Sequence, residues 1–178
     1  IKLMKINDNY LINGNSFNIN KIISVLLEAD NSKNKKLFNK NLKFDFDLKK
    51  VYLDEKNIIR DFQGYLFLND NKVSELSLEA KFENQKNIKL TINSNNGDQI
   101  TTLFSNEAKP LVDRYKFIKG FNEGSLDFYS IKKNNNTKST LKIYDFKLKE
   151  LPALTKILTL ASLQGIADLL SGEGIRFS

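Results

Sequence analysis

Apolar and polar residues alternate strictly over several stretches of the chain. Every second residue is apolar from Leu42 to Leu48, from Leu76 to Phe82 and from Ile88 to Ile92, and the residues between them are polar or charged. Leu126 to Phe128 and Leu141 to Ile143 repeat the pattern over shorter lengths. Strict alternation is typical of β-strands that have one apolar and one polar face. The sequence therefore predicts a mainly β fold.

Groups of turn-forming residues separate successive alternating stretches. These groups are Asn69-Asp70-Asn71, Asn84-Gln85 and Asn134-Asn135-Asn136. Asn and Asp favour turns because their side chains hydrogen-bond to the nearby backbone. Short connections of this kind join strands that run antiparallel. We therefore expect an antiparallel β-meander that is interrupted by a few short helices.

Three segments have helical spacing instead. Apolar residues recur at every third or fourth position between Ile19 and Leu27, which predicts a helix there. A shorter helix is predicted for 100–104, just after Gly97-Asp98. The third segment runs from Pro152 to Leu170, where Pro suits the first helical position and Gly172 suits the end.

The segment from Pro152 to Leu170 is apolar on almost every side. A helix of that kind is buried or contacts lipid, and Lys156 and Asp168 argue against a membrane span. A break between Ser162 and Gly165 gives a pair of short leucine-rich helices. They cap an apolar groove, rest on a membrane or fill the core, and the sequence leaves these alternatives open. The residues concerned are Leu154, Ile157, Leu158, Leu163 and Ile166.

Composition excludes several kinds of site. The 178 residues include no Cys and no His, which rules out a disulfide, a Cys-His zinc site, a cysteine nucleophile and a Ser-His-Asp triad. Asp45 and Asp47 lie two apart on an alternating stretch. We therefore interpret them as part of a polar strand face rather than as paired catalytic carboxylates. We predict no catalytic residues, no metal ligands, no cofactor and no enzymatic activity.

The chain carries a net charge of +7 at pH 7, from 28 Lys and Arg residues and 21 Asp and Glu residues. Such an excess is typical of proteins that bind nucleic acid or anionic membranes. Arg, the side chain best suited to phosphates and base edges, occurs only at positions 60, 114 and 176. The excess is Lys, in a chain also rich in Asn and Ile, as low-GC coding produces. We therefore predict no nucleic-acid partner.

The predicted strands carry more apolar surface than the predicted helices can cover. A strand of about twelve residues is about 40 Å long, and a helix of about two turns covers about a quarter of that length. Either the sheet folds over itself into a closed sandwich, or its apolar face is an open groove that holds an apolar ligand. The groove-lining candidates are Phe44, Phe46, Leu76, Leu78, Phe82, Leu90, Ile92, Phe128 and Ile143.

The C-terminal stretch contains a distinctive series of motifs. In chain order they are an alternating strand ending at Tyr144-Asp145-Phe146, then Pro152, Leu160-Ala161-Ser162-Leu163, Gly172-Glu173-Gly174, and finally Ile175 and Phe177. This series resembles the C-terminal signature of the AsmA-like envelope proteins of bacteria, in particular the YhdP-type (AsmA/TamB-related) members. Gly14-Asn15-Ser16-Phe17-Asn18 is similar to a short turn that precedes a helix in that family.

The resemblance implies a fold and a location. It implies that 1–178 is a single β-groove segment of a longer protein, which is anchored in the inner membrane of a Gram-negative bacterium and projects into the periplasm. Residues 149–178 would form the strand-helix-helix-strand end of that segment. The sheet of an AsmA-like segment is curved and open, and it encloses an apolar channel.

The resemblance also implies a function. AsmA-like proteins are implicated in moving phospholipid between the inner and outer membranes as bridge-like conduits. We therefore expect a non-enzymatic lipid-conduit segment whose groove shields acyl chains. The expected partners are phospholipid, the membrane through parts of the protein outside this chain, and other envelope proteins. The alternative is a closed β-sandwich that serves in binding or adhesion and holds no lipid.

Overall fold

The computed structural model describes residues 1–7, 9–19, 41–69, 72–95, 97–115, 119–133, 136–149 and 175–177. Within those ranges the chain forms eleven strands and one helix, which confirms a mainly β fold with few helices. The strands are β1 (Lys2–Ile6), β2 (Asn9–Gly14), β3 (Phe17–Asn18), β4 (Leu42–Tyr52), β5 (Ile58–Asn69), β6 (Lys72–Phe82), β7 (Asn87–Asn95), β8 (Asp98–Ser105), β9 (Phe121–Lys133), β10 (Asn136–Leu148) and β11 (Ile175–Phe177), and the helix is α1 (Lys109–Tyr115).

The chain divides into two compact units. The first unit consists of Ile1–Phe104 and Phe128–Thr140, and the second consists of Ser105–Asp127 and Leu141–Ser178. In the first unit the strand order runs β1-β2-β4-β5-β6-β7-β8 and then through the parts of β9 and β10 that belong to it, with β3 beside β4. No pairing among the described strands closes β1 onto β10 in this unit, so its sheet is open.

The predicted meander is confirmed from β4 to β7, where each strand pairs antiparallel with the next. The pairing of β2 with β4 is different, because these two strands run parallel. In the β2–β4 pair, Tyr10 lies beside Phe44 and Ile12 lies beside Phe46, so their apolar side chains share one face. A parallel pair needs a long crossover connection, and more than twenty residues separate Gly14 from Leu42. The antiparallel prediction was therefore wrong at this step.

The predicted helix at 100–104 is also wrong, because these residues belong to β8. The Thr91 and Thr102 hydroxyls hydrogen-bond at 2.6 Å across β7 and β8. Strand alternation then turns Ile100 and Phe104 to the same face as Thr102, where they are 39 % and 44 % exposed. Helical spacing over so short a stretch is a weak signal, and pairing between β7 and β8 determines the structure of this segment instead. The helices predicted at 19–27 and within 152–170 lie, apart from Ile19, outside the described residues.

The core of the first unit lies at one end of β4, β5 and β6. It is a cluster of buried apolar side chains, here called the core cluster: Leu48, Val51, Ile59, Phe62, Ala80 and Phe82. Leu48 and Val51 lie three apart in sequence but pair with Phe62 and Ile59, which are also three apart. The pairing of β5 with β6 shifts register between Arg60 and Gln63, and Asp61, which lies in this irregular stretch, has a φ of 51°.

The second unit has a small core of its own, between α1 and β9. Ala108, Val112 and Phe121 are buried there, and the Phe121 and Phe146 rings stack with centroids 5.3 Å apart. The Ala108 N–H donates a hydrogen bond of 2.8 Å to the Gly124 carbonyl, which fixes the start of the helix against the strand.

Candidate functional site

The pairing registers of the first unit gather apolar side chains on one side of β2, β4, β5, β6 and β7, here called the apolar face. Residues paired across neighbouring strands share a face, so they form rows that run across the strands. The first row is Tyr10, Phe44, Leu66, Leu76 and Ile92. The second row is Ile12, Phe46, Gly64, Leu78 and Leu90. The third row is Gly14, Leu48 and Phe62, which pair across β2, β4 and β5, together with Ala80 and Ile88, which pair across β6 and β7. The β5–β6 register shifts between these two groups, and Phe62 and Ala80 belong to the same cluster of buried residues.

Burial increases along the strands, from the first row to the third. Every residue of the first row is half-buried, and none of them belongs to the core cluster or is counted among the described residues packed on it. In the second row, Phe46 and Leu78 are half-buried and pack against that cluster. In the third row, Leu48 is 1 % exposed. The apolar face is therefore sealed at one end of the strands and accessible at the other.

Most of the predicted lining residues lie together on the accessible part of this face. Phe44, Leu76 and Ile92 are in the first row, and Phe46, Leu78 and Leu90 are in the second. The Tyr10 and Phe44 rings stack with centroids 5.5 Å apart. Sequence reasoning missed Tyr10, Ile12 and Leu66. Tyr10-Leu11-Ile12 is a continuous apolar stretch, so alternation does not assign its face, and the parallel pairing that adds Tyr10 and Ile12 to the rows was not predicted.

Phe82 was predicted to line the groove, and this is wrong. It is 4 % exposed and belongs to the core cluster, where its register partner across the strands is Ile59. Alternation correctly put Phe82 on the apolar face, but it does not tell the sealed end of a strand from the accessible end.

The remaining predicted residues lie away from these rows. Phe128 is half-buried on β9 in the first unit, and Ile143 is half-buried on β10 in the second. The three rows lie on β2, β4, β5, β6 and β7, so neither residue belongs to them. The predicted capping residues Leu154, Ile157, Leu158, Leu163 and Ile166 lie outside the described residues.

The opposite side of the same strands is charged. Lys43 Nζ lies 3.2 Å from Asp45 Oδ1 and 5.5 Å from the centroid of the Tyr65 ring. Gln63 Nε2 donates a hydrogen bond of 3.3 Å to Asp47 Oδ1. Asp45 and Asp47 therefore lie on the polar face, as alternation predicts, and each has a partner there.

A cavity of about 490 Å³ lies where β1 ends and β2 and β4 begin. Lys5, Asn9, Asn41 and Lys43 supply polar groups to its lining, and Tyr10, Leu42 and Phe67 supply apolar surface. Tyr10 is also the first member of the first row. By the strand registers, Lys5 lies on the same side of the sheet as Tyr10, whereas Asn9 and Lys43 lie on the opposite, polar side.

The described residues contain no cluster of acidic side chains with the geometry of a metal site. Among the helices in the described part of the chain, none has the length and apolar character that a membrane crossing requires. Comparisons of the chain with protein-family models, with curated proteins and with solved structures found no match.

Proposed function

We propose that this chain is a non-enzymatic lipid-conduit segment, in which the apolar face of the first unit forms an open groove for the acyl chains of phospholipids. The observation that carries the proposal is the first row of the apolar face. Its side chains are apolar, aligned across β2, β4, β5, β6 and β7, half-buried, and outside the core cluster. Apolar surface that a protein's own core leaves partly uncovered is typical of a binding surface.

The dimensions of the rows suit a hydrocarbon tail. Neighbouring strands lie about 4.8 Å apart, so a row across the strands from β2 to β7 is about 19 Å long. Each buried CH₂ group contributes about 0.8 kcal/mol, so a tail of about sixteen carbons gains about 13 kcal/mol when it is fully enclosed. Contacts of this kind are uniform along the tail and need no specific hydrogen bonds, which suits a lipid that must move along the groove.

The location and partners are part of the same proposal. The resemblance of 141–177 to AsmA-like proteins supports a periplasmic segment of an inner-membrane-anchored protein, with phospholipid, membrane and other envelope proteins as partners. A curved sheet belongs to this proposal as well, since curvature brings the walls of the groove around the tail. The C-terminal helix pair would cap that groove, rest on a membrane or complete the core.

The alternative function is protein binding or adhesion by a closed β-sandwich. A sandwich buries the apolar face of one sheet against a second sheet. In the first unit, the described strands follow one another in one sheet, and none of them belongs to a second. The single sheet and the half-buried first row therefore favour the groove.

The proposal is tested by measuring phospholipid that copurifies with the chain, by native mass spectrometry. We expect bound phospholipid on the wild type. Leu76→Asp places a charge in the first row and is expected to lower lipid occupancy about tenfold or more, because a buried charge is costly. Ser77→Asp is the matched control, since Ser77 faces the opposite side, and it should retain lipid.

Circular dichroism of both variants establishes that the sheet still forms. A wild-type chain that carries no lipid, or a folded Leu76→Asp variant that binds lipid as the wild type does, would contradict the proposal. Phe82→Asp is unsuitable for this test, because a charge in the core cluster is expected to unfold the first unit.

A further inference from the structure

The register between β7 and β8 follows from two side-chain hydrogen bonds. The Thr91 and Thr102 hydroxyls lie 2.6 Å apart, and Gln99 Nε2 donates a hydrogen bond of 3.1 Å to Ser94 Oγ. Side chains that meet across neighbouring strands occupy opposing positions on one face. The step from Thr91 forward to Ser94 on β7 matches the step from Thr102 back to Gln99 on β8, as an antiparallel pair requires.

This register continues the first row onto β8. It places Thr101 opposite Ile92, which is the first-row residue of β7. Strand alternation puts Ser94 and Gln99 on the same side of the sheet, next to this pair and nearer the strand ends. All three polar residues are half-buried. The first row is therefore apolar from Tyr10 to Ile92, and its next position is a hydroxyl that lies beside a second hydroxyl and an amide.

The three polar side chains differ in their hydrogen bonds. The Ser94 hydroxyl donates a hydrogen bond of 2.9 Å to the Val73 carbonyl, and Gln99 Nε2 donates to the same carbonyl at 3.4 Å, so both are fixed to the backbone of β6. Within the described part of the chain, no hydrogen bond engages the Thr101 hydroxyl. That hydroxyl can therefore donate to an oxygen of a ligand.

We infer that Thr101 donates a hydrogen bond to an ester carbonyl of a diacyl phospholipid, whose acyl chain runs from there along the first row toward Tyr10. This inference rests on the proposed function and assigns the polar end of the lipid to the β7–β8 hairpin. An ester carbonyl fits because it is uncharged, accepts a hydrogen bond and lies where the hydrocarbon of the tail begins. Ser94 and Gln99 then provide polar surface for the glycerol portion, beyond the hydrocarbon.

The test compares two lipids that share a headgroup and a chain length. Dioleoyl phosphatidylcholine has ester carbonyls, and its diether analogue with oleyl chains has none. Affinities of the whole chain are measured by competition with one fluorescent phospholipid. We expect the wild type to bind the diester about fivefold more tightly, because a hydrogen bond between neutral groups contributes a factor of about that size.

Substitutions at Thr101 should change this preference in a defined way. Thr101→Val removes the hydroxyl, keeps the shape of the side chain and should bind the two lipids alike. Thr101→Ser keeps the hydroxyl and should retain the preference. Thr102→Val is the matched control, because Thr102 faces the opposite side of the sheet, where it contacts Thr91. It should also retain the preference, and circular dichroism establishes that each variant is folded.

Several results would overturn the inference. They are equal wild-type affinity for the two lipids, a preference for the diester that survives Thr101→Val, and an equal loss of preference in Thr102→Val. The opposite end of the first row is Lys5, which pairs with Tyr10. Loss of the preference in Lys5→Gln but not in Thr101→Val would put the ester at β1 and overturn the assignment to β8. If neither lipid binds, the proposed function itself fails.

Discussion

Gly64 stands in the second row between Phe46 and Leu78 and contributes no side chain there. Its backbone has a φ of 143°, and a Cβ at this position would lie 1.9 Å from the Ser77 carbonyl oxygen. The neighbouring atom is backbone of β6 and cannot rotate away. Glycine therefore allows β5 and β6 to approach closely at the centre of the apolar face.

Gly64→Ala is expected to destabilise the chain by about 2–3 kcal/mol, because the added methyl group forces β5 and β6 apart. Gly97→Ala is the matched control. Gly97 also has a positive φ, of 86°, but a Cβ there would meet nothing within 4 Å. The backbone penalty alone, about 1 kcal/mol, is expected at that site. Urea unfolding measures the free energy of unfolding of both variants. Equal losses of that free energy would show that the contact with Ser77 is not what restricts Gly64.

At the scale of the strand, β4 passes from an accessible end to a sealed end. Phe44 lies in the half-buried first row, Phe46 packs against the core cluster, and Leu48 and Val51 are buried within it. The same strand thus stabilises the fold at one end and offers apolar surface at the other. Substitutions at the sealed end should therefore lower the free energy of unfolding more than substitutions in the first row.

Leu48→Ala is expected to cost about 3–4 kcal/mol, since it opens a cavity in the core cluster. Leu76→Ala removes a half-buried side chain of the same size and is expected to cost about 1 kcal/mol. Chemical unfolding of the lipid-free chain gives both values. Comparable losses would mean that the first row is packed as tightly as the core, and the groove would then have no room for a tail.

Alternation predicted which side of β4, β6 and β7 is apolar, because a period of two fixes the face of every residue in a regular strand. It did not predict that Phe82 is sealed while Phe44 is accessible, since depth along a strand depends on what packs over each end. Nor did it predict β2 beside β4, because that parallel pairing joins residues far apart in sequence. The cavity lined by Lys5 and Lys43 depends on this pairing, so sequence reasoning had no means to find it.

At the scale of the whole chain, a net charge of +7 accompanies an apolar face, and the two should contribute to lipid binding in different ways. Attraction between exposed charges is screened by salt, with a Debye length of about 10 Å at about 0.1 M and about 3 Å at about 1 M. Burial of acyl chains does not weaken with sodium chloride, because it arises from the removal of apolar surface from water. Salt therefore separates the headgroup contribution from the tail contribution.

Raising sodium chloride from about 0.1 M to about 1 M is expected to lower the affinity for dioleoyl phosphatidylglycerol about fivefold to tenfold, so that it approaches the affinity for dioleoylglycerol. The affinity for dioleoylglycerol itself should stay constant or rise slightly. Fluorescence titration of the wild-type chain at several salt concentrations measures both. A parallel fall for the two lipids would mean that charge rather than apolar surface holds them, and the apolar face would lose its assigned role. A phosphatidylglycerol affinity that does not change with salt would instead show that headgroup charge contributes little, while the tails along the first row would still account for binding.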